Sequence, residues 1–118
     1  MFFQTKKKKI QQYLNNPSNK LSVFDELLAD YLSGDFKSFF IAQGLTKVEI
    51  YIDWLEDYKC IGLQGRFDKY YVDLQIEENE FGMAIDPDEP DISNSYELIS
   101  KEYVYETCKH LLTNANSR

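Results

Sequence analysis

Four carboxylates fall within six residues in the stretch IDPDEPDIS at positions 85–93, interleaved with two prolines. Closely spaced carboxylates are what a hard cation takes as ligands, and Asp86, Asp88 and Glu97 stand at positions 1, 3 and 12 of an EF-hand calcium loop. The match fails in between: position 5 is Pro90, and position 6, where glycine makes the sharp turn, is Asp91. No metal is expected. Pro87 and Pro90 fix φ and remove two backbone donors, which predicts a stiff exposed connection that ends a strand. That stiffness also holds Asp86, Asp88, Glu89 and Asp91 in place for a basic partner at reduced entropic cost.

Other residue types offer less chemistry. His110 is the single histidine and lies two residues after Cys108, a spacing that a helix does not bring face to face. A nucleophilic pair would have to form in space between Cys60 and His110, and no pattern favours it. The chain has no GxSxG, HExxH, phosphate loop or CxxC. Asp53 and Asp73 are of the type that does acid and base work, but carboxylates on a wet strand face are ordinarily just charged. Neither an enzymatic activity nor a cofactor is expected. The run KKKK at 6–9 has the composition of a phosphate or lipid contact, yet four consecutive lysines point around every side of a helix, so a solvated helix is expected.

The totals narrow the classes. At 118 residues with 43% hydrophobic and 15% aromatic residues, the chain has the size and bulk of one folded domain. Its net charge of −7 argues against a nucleic-acid binder, whose affinity comes from Lys and Arg on phosphates, and an acidic surface prefers basic partners. Charge is also polarised along the chain: residues 1–20 carry five lysines and no acid, whereas residues 77–106 carry ten acids against Lys101. Cys60 and Cys108 fall in apolar patterns and are expected to be buried free thiols of a reducing compartment. The start MFFQTKKKKI has its charges after the phenylalanines and lacks a long apolar region, and no run approaches the ~20 apolar residues that span a bilayer. A cytoplasmic location without membrane contact is therefore expected.

The elements that must position these residues can be read from periodicity. Thr5 is placed to cap a short helix to Leu14, with Phe3, Ile10, Tyr13 and Leu14 on one side. In SVFDELLADYLSG, Ser22 and Asp25 make a capping box, and Phe24, Leu27, Leu28, Tyr31 and Leu32 follow helical spacing until Gly34. Asp35 is expected to cap one further turn carrying Phe36, Phe39 and Phe40, ended by Gly44. From Lys47 the period becomes 2, with Val48, Ile50, Ile52 and Trp54 alternating with Glu49, Tyr51 and Asp53. Further strands are predicted at 58–64, with Gly62 and Gly65 marking a bulge, at 69–76, and over FGMAI at 81–85 after a turn at EENE. Ser100 caps a last helix with Val104, Cys108, Leu111 and Leu112 inward, and TNANSR is expected to fray. The result is a single α+β domain: a helical part at 1–46, a four- or five-stranded antiparallel meander at 47–99 with residues 96–99 undecided, and a C-terminal helix at 100–113. The helices must cover one face of the sheet, which leaves Glu49, Tyr51, Asp53, Lys69, Tyr71, Asp73 and Gln75 on the other.

The meander from VEIYIDWL to FGMAI, the loop DPDEPD and the closing helix SKEYVYETCKHLL, in an acidic chain of this size, resemble the small immunity proteins of bacterial contact-dependent and polymorphic toxin systems. The resemblance carries over no residue role. It implies a mode of action, in which a folded acidic protein binds a sibling toxin, often a basic nuclease, and blocks it. The contact is then expected on Asp53, Tyr71 and Asp73 of the sheet face, or on Glu77, Glu78, Glu80, Asp86, Asp88, Glu89 and Asp91. A secretion chaperone or adaptor, which would bind an unfolded segment and usually dimerise, and a small-molecule domain or enzyme, which would need a concave apolar pocket, are the alternatives. Oligomeric state is left open.

Overall fold

The structure, a computed structural model, describes residues 6–18 and 20–116. Three helices, α1 (Lys6–Leu14), α2 (Val23–Ser33) and α3 (Asp35–Ala42), precede four long strands, β1 (Thr46–Trp54), β2 (Lys59–Phe67), β3 (Tyr70–Ile76) and β4 (Glu80–Asp86). A two-residue strand, β5 (Tyr96–Glu97), and the helix α4 (Lys101–Asn116) complete the chain. The sheet is antiparallel throughout with order β1-β2-β3-β4-β5, the meander that the period-2 stretches predict.

Local chemistry sets most boundaries. Ser22 accepts from the Asp25 amide at 3.2 Å while the Asp25 carboxylate accepts from the Ser22 amide at 3.1 Å, closing the capping box. Asp25 is only 3% exposed, and it also accepts from the Tyr13 hydroxyl at 3.3 Å, so α1 is tied to the start of α2 by a satisfied carboxylate. Gly34, at φ 90°, ends α2 in the left-handed region. Asp35 is not a cap: it is the first residue of α3, Gly34 stands at the N-cap without a side-chain bond, and α3 runs for eight residues rather than one turn. An acid in the first turn still complements the helix dipole. Thr5 and Phe3 lie outside the described residues.

Three further features differ from expectation. β2 runs on to Phe67, where the strand is expected to end at 64, because Arg66 and Phe67 still pair with Tyr71 and Tyr70. The bulge lies on β1, where the register slips between Thr46 and Glu49 and Lys47 takes φ 52°; β2 keeps an unbroken register with β3 from Ile61 through Phe67. Gly65 faces this bulge, and a Cβ there would sit 3.1 Å from the Thr46 carbonyl oxygen. The last helix continues past 113 to Asn116, because Ala115 is buried and extends the stripe of Val104, Cys108 and Leu112. Residues 96–99 supply only the two-residue β5.

The core is one cluster in which Ile52, Ile61, Leu63, Val72, Leu74, Ile76, Phe81 and Met83 of the sheet meet Ile10, Phe24, Leu27, Leu28, Phe36, Phe40, Val104, Cys108 and Leu112 of the helices. Every sheet residue in it belongs to the same alternate set. The helices therefore form one layer on one side of the sheet; the other side carries no helix and is covered at Gly82 by Ile92 and Asn94.

Candidate functional site

The strand register lays out the open face as rows across the sheet. Asp53 pairs with Cys60; Tyr51, Gly62, Gln75 and Gly82 form the next row; Glu49, Gln64, Asp73 and Ala84 the third; Arg66, Tyr71 and Asp86 the last. Glu49, Asp53, Gln64, Tyr71 and Gln75 are exposed. Gly62 matters here because the Tyr51 ring lies across it, and a Cβ at that position would come within 2.0 Å of Tyr51 Cζ. The ring thus folds down from β1 towards the middle of the sheet. Burial raises the Tyr51 pKa, the nearby Asp73 charge raises it further, and the Gln75 side chain acts in the opposite sense.

Asp73 is the centre of this face. Its Oδ1 is buried without a hydrogen-bond partner, and burial raises its pKa above the usual carboxylate range. Arg66, one row away on β2, stacks on the Tyr71 ring at 4.2 Å from its centroid, and among the described residues no ion pair joins Arg66 to Asp73 or Asp86. A carboxyl whose folded pKa is raised holds its proton more tightly in the native state than in the unfolded chain. Its unfavourable contribution is therefore full at neutral pH and fades as pH falls through the raised pKa towards the ordinary value. Asp73→Asn is accordingly expected to melt above the wild type at neutral pH, with the gap closing on acidification; thermal melts across that pH range check it.

The acidic residues divide between the two ends of the sheet. Asp57, Glu77, Glu78 and Glu80 line a cleft of about 350 Å³ between the β1–β2 and β3–β4 turns, together with Tyr58, Lys59 and Asn79, and Asp53 stands at the same end of the sheet opposite Cys60. The Tyr58 hydroxyl donates to Glu77 Oε1 at 3.2 Å, and its pKa is raised far above normal, first by a hydrogen bond with Cys60 and then by burial. Asp86, Asp88, Glu89 and Asp91 lie at the other end, where Asp86 is opposite Tyr71 and its Oδ1 accepts from the Asp88 amide at 2.9 Å. The seven residues of β4 separate these groups by roughly 20 Å at the usual strand rise. The segment 77–91, continuous in sequence, is two patches in space. Glu97 pairs opposite Glu80, at the far end of β4 from Asp86, so the three EF-hand positions do not converge.

The loop between Asp86 and β5 has a structural task that the sequence concealed. The Asn94 side chain accepts from the Met83 amide at 2.9 Å and donates to the Met83 carbonyl at 2.7 Å, standing in for a strand residue where β5 is too short to reach. Gly82 makes this approach possible, since a Cβ there would fall 2.5 Å from the Asn94 carbonyl oxygen and 2.6 Å from Ile92 Cγ2. Asn94→Ala leaves both Met83 groups unpaired and is expected to cost about 1–3 kcal/mol by denaturant titration, with faster hydrogen exchange at Met83.

The remaining candidates stay apart. Cys60 and Cys108 are free and buried, and burial raises both thiols, Cys108 to about 12. His110 is exposed on α4 beside Asn114, whereas Cys60 belongs to the open-face set of the sheet, so no Cys–His pair forms. Lys6, Lys7, Lys8 and Lys9 are all exposed; Lys6 donates to the Ile52 carbonyl on the β1 edge, and Lys7 lies over the Tyr31 ring. Among the described residues no helix is long and apolar enough to cross a membrane, and no group of three or more His, Cys, Asp or Glu is placed to hold a metal ion. Comparison with protein-family models, curated proteins and solved structures finds no match.

Proposed function

We propose that this chain is an immunity-type inhibitor that binds a cognate, cationic, nuclease-like toxin in the cytoplasm through its acidic surface, without catalysing a reaction. The observation that carries this reading is the helix-free face of the sheet, on which Asp53, Tyr71 and Gln75 are exposed, and which is bounded at each end by a cluster of carboxylates. A rigid sheet presents these groups without the ordering cost that a loop would incur. Tyrosine adds contact area at low entropy cost. A nuclease presents positive charge to its substrate, so an inhibitor that offers carboxylates at that surface gains fast association and partner discrimination together.

The test is protection. Co-expression of this chain with the toxic domain encoded beside its own gene is expected to restore growth, and the two purified proteins are expected to form a complex that inhibits the toxin. Growth arrest despite co-expression, or a native partner that is acidic and non-toxic, contradicts the reading.

A further inference from the structure

We propose that the outer edge of β1 is a docking slot for a short extended segment of another protein. The segment adds as a further strand beside Ile50, with carboxylates on the helix side and basic side chains on the other. Its chemistry is set by β1 and its neighbours, whatever the partner's activity.

β1 is an edge strand, with β2 as its one neighbour in the sheet. The Leu55 amide donates to the Tyr58 carbonyl at 2.8 Å, and the register carries that pairing along the hairpin to Asp53 with Cys60 and Tyr51 with Gly62. In an antiparallel ladder the alternate residues turn their backbone groups the other way, so Ile50, Ile52 and Trp54 present theirs outward. Lys6 fixes the direction, since it donates from α1 to the Ile52 carbonyl. The Ile50 amide and carbonyl and the Ile52 amide have no partner among the described residues. Such a row is a template for another strand.

The slot has defined ends. At one, the register slips between Thr46 and Glu49, and Lys47 takes φ 52°. At the other, Lys6 occupies the Ile52 carbonyl and the Tyr13 ring packs on Trp54 with centroids 5.1 Å apart. Between them the edge is accessible. The Tyr51 ring lies inward over Gly62, and on the helix side Ile50 lines an open groove of about 320 Å³ with Lys7, Tyr31, Leu32 and Lys37.

Charge selects the occupant. Side chains of an added strand alternate between the two faces. Those on the helix side meet the groove of Lys7 and Lys37, where carboxylates are complementary; those on the other side run beside the exposed Glu49 and Asp53, where lysine or arginine is. Among the described residues the one ion pair is Lys101 with Asp30, so neither Lys7 nor Lys37 is already neutralised by a carboxylate. A second copy of the chain is disfavoured by the same rule. β1 against β1 would set the lysines of both grooves along one side of the seam and Glu49 and Asp53 of both chains along the other. Edge lysines commonly keep unwanted strands away, and here they also set the charge of the strand that is admitted.

The probe is a blocked heptapeptide in which lysines at the odd positions alternate with glutamate, valine and glutamate, added to the wild-type chain and followed by NMR. Without it, the Ile50 and Ile52 amides are expected to exchange with water faster than the Tyr51 amide, which is paired with Gly62. With it, saturable shifts and slowed exchange are expected at Ile50 and Ile52. N-methylation of the central valine removes the donor opposite Ile50 and keeps every charge; it is expected to weaken binding by at least about tenfold. Lys7→Glu combined with Lys37→Glu is expected to weaken it to a similar degree. The absence of saturable binding, shifts confined to other elements, equal binding of the methylated peptide, or an Ile50 amide already protected in the free chain overturns the proposal. The two peptides are compared on the wild-type protein, so the test holds even where the double variant folds poorly.

Discussion

Truncation of Phe40 to alanine is expected to lower the unfolding free energy by about 3–5 kcal/mol, the usual loss for deleting a buried aromatic ring. Phe40 is fully buried and has the Phe36 ring at 5.1 Å, the Phe39 ring at 5.0 Å and the Tyr105 ring at 6.4 Å, which joins α3 to α4. Its carbonyl also accepts from the Leu45 amide, fixing the turn from α3 into β1. The residue therefore sits where helix layer and sheet are stitched together. Small domains carry about 5–15 kcal/mol in all, so this single change removes a large share of the stability. Chemical denaturation measures it directly. A loss below about 1 kcal/mol would mean that α3 is not docked as described.

Reversal of Asp53, Asp57, Glu77 and Glu78 to lysine together is expected to slow association with the proposed cationic partner by about 10- to 1000-fold, while the dissociation rate changes far less. The four residues belong to one end of the sheet, and their reversal moves the net charge from −7 to +1. Exposed carboxylates at the rim of a contact act chiefly on encounter, because the long-range field is what they supply. Stopped-flow mixing separates the two rates. The same reversal at Asp86, Asp88, Glu89 and Asp91 tests the opposite end, and the set with the larger effect on association marks the side from which the partner approaches. An equal, negligible effect from both sets would contradict steering by either cluster.

Legibility in the sequence tracks the strength of local periodicity. The capping box at Ser22, the left-handed Gly34, the alternation of β1, β3 and β4 and the turn at EENE are short-range signals, and each fixes an element that the structure contains. The glycines of β2 do not mark the bulge, because Gly65 is small for the sake of its neighbour: the irregular backbone is on β1 at Lys47, and the glycine only makes room. The final helix runs longer than its polar sequence suggests, since burial of Ala115 is a tertiary effect. The same distinction applies to the candidate site. Alternation alone assigned Tyr51, Asp53, Tyr71 and Asp73 to one face, but nothing local shows that Asp73 Oδ1 lacks a partner, that Arg66 turns to Tyr71, or that β4 carries the two halves of the acidic segment apart. Asn94 gave no signal, because its role depends on where β5 stops.

If fixed negative charge on this scaffold meets a cationic protein, as proposed, the dissociation constant of the complex with its native partner, followed by calorimetry at rising salt concentration, must report it. Affinity that weakens steeply and continuously as screening increases is the predicted result. An affinity unchanged between low and molar salt would contradict it.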